Sequence, residues 1–322
     1  MQVAVVTGAS GYIAVQLVKQ LLEKGYIVRG TVRSTKDTAK TEILTQLAGV
    51  LPGRLELHEA DLLQEGSFDD VVQGADYVFH TASPVIKEPE DAQRDVIDPA
   101  LNGTKNVLAS VIKHKSGIKR VVMTSSVVAV SDFKSPPKNG SAFTEDDWAE
   151  NSSLADPYRH SKVLAERHAW KVAEEQGFEL VTILPTWVLG PILGTRLDSL
   201  SMLKTKDFVE GKSDELYGRM VDVRDVARAH ILAAELPHAH GRYIVTDPHG
   251  YESGEFWEAL NRRFPGKRYP SKPYKAGKNV IDISKATKDL GLTFISGPEV
   301  VCDAAGSLFA AGLAKPPDNA ST

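Results

Sequence analysis

The sequence predicts an α/β fold, a doubly wound parallel sheet with a smaller, discontinuous C-terminal lobe. Short apolar runs rich in β-branched residues alternate with amphipathic helical segments through the first half of the chain. A glycine-containing turn joins the first apolar run to the first helix. The regular alternation breaks beyond Pro185 and returns only around Val221.

Taken in order, the first strand covers Val3 to Thr7. Ile13, Leu17 and Leu21 then recur at i+4 with Val18 and Leu22 alongside, which gives one apolar helix face ending at Gly25. Further strands fall at Ile27 to Val32, Leu55 to Ala60, Tyr77 to Phe79, Val121 to Thr124 and Leu180 to Leu184, in the β-branched composition that a buried parallel strand prefers. Together these βαβ units describe a Rossmann-type sheet. Past Pro185, Gly190-Pro191-Ile192-Leu193-Gly194 leads into polar sequence through Gly211. Val221 to Ala234 reads as helix and Arg242 to Val245 as strand. The expected division is a nucleotide-binding domain from residues 1–189 with 217–246, and a substrate lobe from 190–216 with 247–322. The tail from Pro316 is expected to fray.

Composition removes several classes of function. No segment approaches the ~18 consecutive apolar residues of a membrane span. The formal net charge is -4 with dispersed basic residues, which speaks against nucleic acid as a partner. Cys302 is the sole cysteine, so neither an intrachain disulfide nor a multi-cysteine metal site can form, and the histidines do not gather at metal-ligand spacings. No metal is expected. The N-terminus enters a strand without a basic leader, so no targeting peptide is read and the default compartment is cytoplasmic. Oligomeric state stays open between monomer and homodimer.

Two motifs carry chemistry. Thr7-Gly8-Ala9-Ser10-Gly11-Tyr12-Ile13-Ala14 follows the first strand and opens the first helix. Gly8 suits the tight turn, Gly11 allows a pyrophosphate near backbone N–H groups, and Ala14 allows close packing. At the end of the second strand, where an NAD enzyme places an acid for the ribose 2′-hydroxyl, the chain has Arg33, with Lys36 and Lys40 following. That exchange favours a 2′-phosphate, and hence NADP(H). The second motif is Asp156-Pro157-Tyr158-Arg159-His160-Ser161-Lys162, a capped helix start that sets Tyr158 and Lys162 one turn apart on one face. A nearby ammonium favours the tyrosinate and eases proton transfer near neutral pH. Upstream, a strand ends in Thr124-Ser125-Ser126, hydroxyls at the sheet edge where open α/β folds bind ligands.

With these marks, and with Arg29 to Arg33, Asp61-Leu62, Val78 to Pro84, Glu166, Pro185-Thr186 and Val221 to Ala227, the chain resembles the extended short-chain dehydrogenases/reductases over nearly its whole length. The branch is that of dihydroflavonol reductases, cinnamoyl-CoA reductases and aldehyde or ketone reductases. The resemblance implies that Ser126 hydrogen-bonds the substrate carbonyl, with Ser125 as the alternative, that Tyr158 donates the proton, and that Lys162 tunes Tyr158 and holds the nicotinamide ribose. It further implies Gly8, Ser10, Gly11, Tyr12 and Ile13 at the pyrophosphate and Arg33 with Lys40 at the 2′-phosphate. Asp61 and Leu62 would flank the adenine, Thr81, Ala82 and Ser83 would lie by the ribose, and Pro185 with Val188 by the nicotinamide. Asp222 and Asp225 are read only as helix caps.

Departures narrow the substrate. The Asn-Trp-Tyr-Cys-Tyr run of cinnamoyl-CoA reductases is replaced by Leu154-Ala155-Asp156-Pro157-Tyr158, and the asparagine that flavonoid reductases carry after the serine pair is missing from Val127 to Ser131. The expected function is NADPH-dependent reduction of a small, neutral aldehyde or ketone. The expected pocket comprises Val85, Ile86, Val127, Val128 and Trp187, with Leu189 to Leu193 nearby, and no Arg or Lys follows the serine pair to hold a phosphate or CoA. Steroid dehydrogenases and nucleotide-sugar epimerases or dehydratases of the same superfamily are the alternatives, with a non-catalytic NADP-sensing protein behind them. Arg33 and Ala100 speak against the sugar enzymes.

Overall fold

A computed structural model describes residues 1–83, 89–132, 134–267, 269 and 280–317. Along the chain, β1 (Val3–Val6) leads through the glycine turn into α1 (Tyr12–Glu23), followed by β2 (Ile27–Val32), α2 (Thr38–Val50), β3 (Arg54–Glu59), the short α3 (Asp69–Val72) and β4 (Tyr77–His80). A π-helical turn over Gln93–Ile97 runs into α4 (Asp98–His114), then β5 (Arg120–Thr124), a 3-10 turn over Val127–Ala129, α5 (Pro157–Gln176), β6 (Leu180–Pro185) and β7 (Trp187–Leu189). The remainder is α6 (Leu200–Val209), β8 (Met220–Asp222), α7 (Val223–Glu235), β9 (Gly241–Val245), α8 (Ser253–Arg263), α9 (Ser284–Asp289) and α10 (Gly297–Ala310).

Seven strands form one parallel sheet in the order β3-β2-β1-β4-β5-β6-β9. The order reverses direction between β1 and β4, the switch point at which open α/β sheets bind ligands beyond their carboxyl ends. Helices cover both faces. α1 and α7 pack one against the other on one side, with Leu17, Val18, Leu21, Val226 and Ala229 at most slightly exposed, and α3, α4 and α5 pack on the other around Phe68, Val107 and Ala169. A further core gathers α6, α8 and α10, where Phe208 stacks on Trp257 with ring centroids 5.2 Å apart.

The boundary differences have simple causes. The helix expected from Val221 begins at Val223, because Val221 and Asp222 belong to β8, which pairs in parallel with β7. Asp222 then caps α7, its carboxylate accepting from the Arg224 N–H at 2.7 Å. Asp225 is not a cap of that kind: it is buried and accepts from the Ile295 N–H at 2.8 Å. α5 starts as expected, with Asp156 accepting from the Arg159 N–H and Pro157 as its first residue, and it ends at Gly177. No helix among the described residues is long and apolar enough to cross a membrane.

Leu17 is completely buried between α1 and the sheet. Leu17→Ala should lower the free energy of unfolding by about 2–5 kcal/mol, read as a fall in the denaturant midpoint at constant m-value.

Candidate active site

A cleft of about 1670 Å³ opens at the carboxyl ends of the central strands. That exceeds the ~300–1,000 Å³ of a drug-sized pocket and suits a dinucleotide with a second molecule beside it.

The floor at the switch point is built by Thr7. Its hydroxyl oxygen accepts from the N–H groups of Thr81 and Ala82 at 3.1 and 3.0 Å and lies 3.1 Å from His80 Nδ1, while the Thr81 hydroxyl donates to the Thr7 carbonyl. Gly8 follows at φ +64°, and a Cβ there would stand 3.0 Å from the Cβ of Ala82. Only glycine fits a turn this close to the β4 end. The N–H of Gly8 donates to Thr31 Oγ1, which anchors the turn to β2. This leaves the start of α1 facing the cleft, with Ser10, Gly11, Tyr12 and Ile13 lining it. His80 beneath is fully buried; burial, with the positive charge of Lys162 adding, pushes it down to about 3, so it stays neutral.

Arg33, exposed, and Lys40 line the same cleft, and Lys40 Nζ pairs with Asp37 at 2.5 Å. No acid stands at the end of β2. Asp61 and Leu62 form the neighbouring wall, where the Leu62 carbonyl accepts from Asn106 Nδ2 at 2.7 Å. Thr81, Ala82 and Ser83 line the middle, and Pro185 with Val188 the end of β6 and β7. The turn, the basic pair and the widened groove together fit a nicotinamide dinucleotide.

Ser126, Tyr158 and Lys162 also line the cleft. Lys162 Nζ lies 5.7 Å from the centroid of the Tyr158 ring and donates to Ser83 Oγ at 3.2 Å. The two serines are separated in their roles. The Ser125 hydroxyl donates to Glu166 Oε2 at 2.7 Å, within a buried network in which Thr182 Oγ1 and Arg242 Nε each reach Glu166 Oε1 at 2.8 Å. Among the described residues Ser126 Oγ accepts only a 3.4 Å bond from the Val128 N–H, which leaves its proton for a ligand.

The substrate side differs in part from expectation. Val127, Val128 and Trp187 line the cleft, whereas Val85 and Ile86 lie outside the described residues. Leu189 and Ile192 do not line it. Their side chains are buried in the core of α6, α8 and α10, Leu189 from the end of β7 and Ile192 from the segment that follows it. In their place Leu200, Leu203, Lys204, Asp207, Tyr217, Arg219 and His249 face the cleft. Lys204 Nζ sits 4.9 Å over the Trp187 ring. The expectation of a cleft without cations beyond the serine pair is therefore corrected: Arg196, Lys204 and Arg219 come from segments far along the chain, and no motif marks them.

Residues 4–245 match the NAD dependent epimerase/dehydratase family. Over 306 residues the chain is 41% identical to cinnamoyl-CoA reductase CAD2 of Medicago truncatula, covering 91% of each protein. Over 319 residues it is 39% identical to tetraketide alpha-pyrone reductase 1 of Arabidopsis thaliana, covering 95% of each. The structure of yeast methylglyoxal/isovaleraldehyde reductase Gre2 complexed with NADPH superposes with a TM-score of 0.83 at 30% identity, over 97% of this chain and 100% of that one. Fold and site define an oxidoreductase that uses a nicotinamide dinucleotide. The chain belongs to the NAD dependent epimerase/dehydratase family, as an extended short-chain dehydrogenase/reductase of the dihydroflavonol reductase/cinnamoyl-CoA reductase branch.

Glu166→Ala should strand Arg242 as an uncompensated buried cation and cost about 3–5 kcal/mol. Thermal unfolding of the variant at neutral pH, set beside the wild type, checks this.

Proposed function

We propose that the protein is an NADPH-dependent carbonyl reductase that reduces a small to medium aldehyde or ketone bearing an apolar substituent. The observation that carries this reading is the convergence of Ser126, Tyr158 and Lys162 on one wall of a cleft whose other end carries Arg33 where an NAD enzyme has an acid.

NADPH, held by the glycine turn of residues 8–13 and by Arg33 and Lys40, would supply the hydride for the carbonyl carbon. The chain's own groups manage the oxygen. Ser126 donates a hydrogen bond to the carbonyl oxygen and orients it; Ser125, committed to Glu166, does not compete. Tyr158 gives its phenolic proton to that oxygen as negative charge builds there, and Lys162, one turn on, favours the resulting phenolate and holds the nicotinamide ribose beside Ser83. Arg33 and Lys40 meet the 2′-phosphate. Val127, Val128, Leu200 and Leu203 supply an apolar surface for the substituent.

A second reading has an observation of its own. Lys204 and Arg219 on the far wall suit an anionic substrate, and the relative from Medicago truncatula is named for an acyl-CoA thioester, whereas Gre2 is named for methylglyoxal and isovaleraldehyde. NADPH consumption with a panel of neutral aldehydes, ketones and α-ketoesters, set against acyl-CoA thioesters, separates the two. The carbonyl reductase reading requires the neutral compounds to be the better substrates.

Tyr158→Phe should bind NADPH like the wild type and turn over slower by about 10² to 10⁴-fold; single-turnover and binding measurements together test it, and unchanged turnover would remove Tyr158 from the role. Ser126→Ala should lose activity far more than Ser125→Ala, compared as kcat/KM at saturating NADPH.

Arg33→Ala should raise the Michaelis constant for NADPH by about tenfold or more and spare NADH, as expected for one lost charge-assisted contact. Equal wild-type efficiency with the two cofactors would overturn the NADPH preference.

A further inference from the structure

The segment after β7 crosses from the sheet to α6 directly over the glycine turn and α2, and it is held there at three points. The Tyr12 hydroxyl donates to the Gly190 carbonyl at 2.9 Å. Gly194, at φ +81°, runs so close to α2 that a Cβ on it would stand 3.2 Å from Ile43 Cβ. Arg196 Nη1 then donates to the Ser10 carbonyl at 2.9 Å. The guanidinium is therefore seated between the glycine turn, which ends β1, and α2, which carries Lys40. It lines the cleft together with Ser10, Arg33 and Lys40, and its side chain keeps 27% of its surface exposed.

Charge around it is arranged in exchangeable pairs. Arg196 pairs with Asp198, and Lys40 pairs with Asp37 at 2.5 Å. Asp37 precedes the first residue of α2, and its carboxyl is held below its usual range mainly by the hydrogen bond from Lys40, with the charge of Arg196 adding. Two carboxylates thus hold two of three cations in place, and Arg33 stands by. Arg33, Lys40 and Arg196 all line the cleft that a dianionic group would enter.

Building on the NADPH reading, we propose that Arg196 is a third cation of the 2′-phosphate site, contributed by the segment that leads into α6, so that cofactor selectivity depends on that segment as well as on Arg33 and Lys40. A guanidinium presents paired N–H donors that match phosphate oxygens, so loss of one such contact removes about tenfold or more of affinity.

The test uses two ligands that differ only in the phosphate concerned, 2′,5′-ADP and 5′-AMP, titrated calorimetrically into the full-length wild type, Arg196→Ala, Arg196→Lys and Arg33→Ala. Arg196→Ala should weaken 2′,5′-ADP by about tenfold and leave 5′-AMP within about twofold, with Arg196→Lys between it and the wild type. Circular dichroism melts confirm that each variant is folded. Equal weakening of both ligands would place Arg196 on the 5′ side or give it a purely structural part, and no weakening of either would remove it from the site; each result overturns the assignment. If the wild type distinguishes the ligands and Arg33→Ala does not, while Arg196→Ala distinguishes them as well as the wild type, the NADPH reading stands and the assignment of Arg196 falls. A wild type that binds both ligands alike overturns the NADPH reading and the assignment with it.

Discussion

The fold is organised around one fully buried carboxylate. Glu166 lies on the inner face of α5 and reaches β5 through Ser125, β6 through Thr182 and β9 through a two-point pairing with Arg242, at 2.8 and 3.3 Å. An ion stripped of water costs several kcal/mol, so such a pair persists only when every lone pair and proton finds a partner. Here each nitrogen and oxygen of the pair has a partner: Arg242 Nη1 also donates to the carbonyls of Glu145 and Asp147, and its guanidinium lies 3.7 Å from the centroid of the Trp148 ring. The strands, α5 and the loop of residues 144–149 are thereby fixed to one point. Two of the candidate site residues, Tyr158 and Lys162, sit on the same helix, eight and four positions before that anchor, so their placement over the sheet edge follows from it.

The parallel register does the rest of the gathering. All seven strands point the same way, so the turn after β1, the basic loop after β2, the Thr81–Ser83 segment after β4 and the serines after β5 emerge on one rim. The hydroxyl of Thr7 ties the first of these to the third. The neutral ring of His80 fills the space below, close enough to Lys162 that a second positive charge there would be unfavourable. Above this neutral ring Lys162 lines the cleft and donates to Ser83 Oγ.

Opposite this rim the cleft is walled by residues from α6 and from the segments around Arg219 and His249, and that wall differs in character. Apolar Leu200 and Leu203 sit among Lys204, Asp207 and Arg219, with Lys204 laid over Trp187. The wall is fastened to a core of its own around Phe208 and Trp257, while its outward side chains line the cleft.

What the sequence alone determined is whatever depends on neighbours along the chain. The strand and helix periods, the glycine turn, the cap at Asp156-Pro157, the Tyr158–Lys162 spacing and Arg33 at a strand end are local patterns with local physical causes, and the candidate residues read from them line one cleft. Pairing between distant segments was beyond such reading. Which serine keeps a free hydroxyl depended on where Glu166 lands, across a helix and two strands. Val221 read as helix because its partner strand, β7, is separated from it in the chain by α6. Leu189 and Ile192 read as pocket, and Arg196, Lys204 and Arg219 went unnoticed, because which face of a short element or loop meets the cleft is set by what packs against its other side, and that is a property of the folded chain.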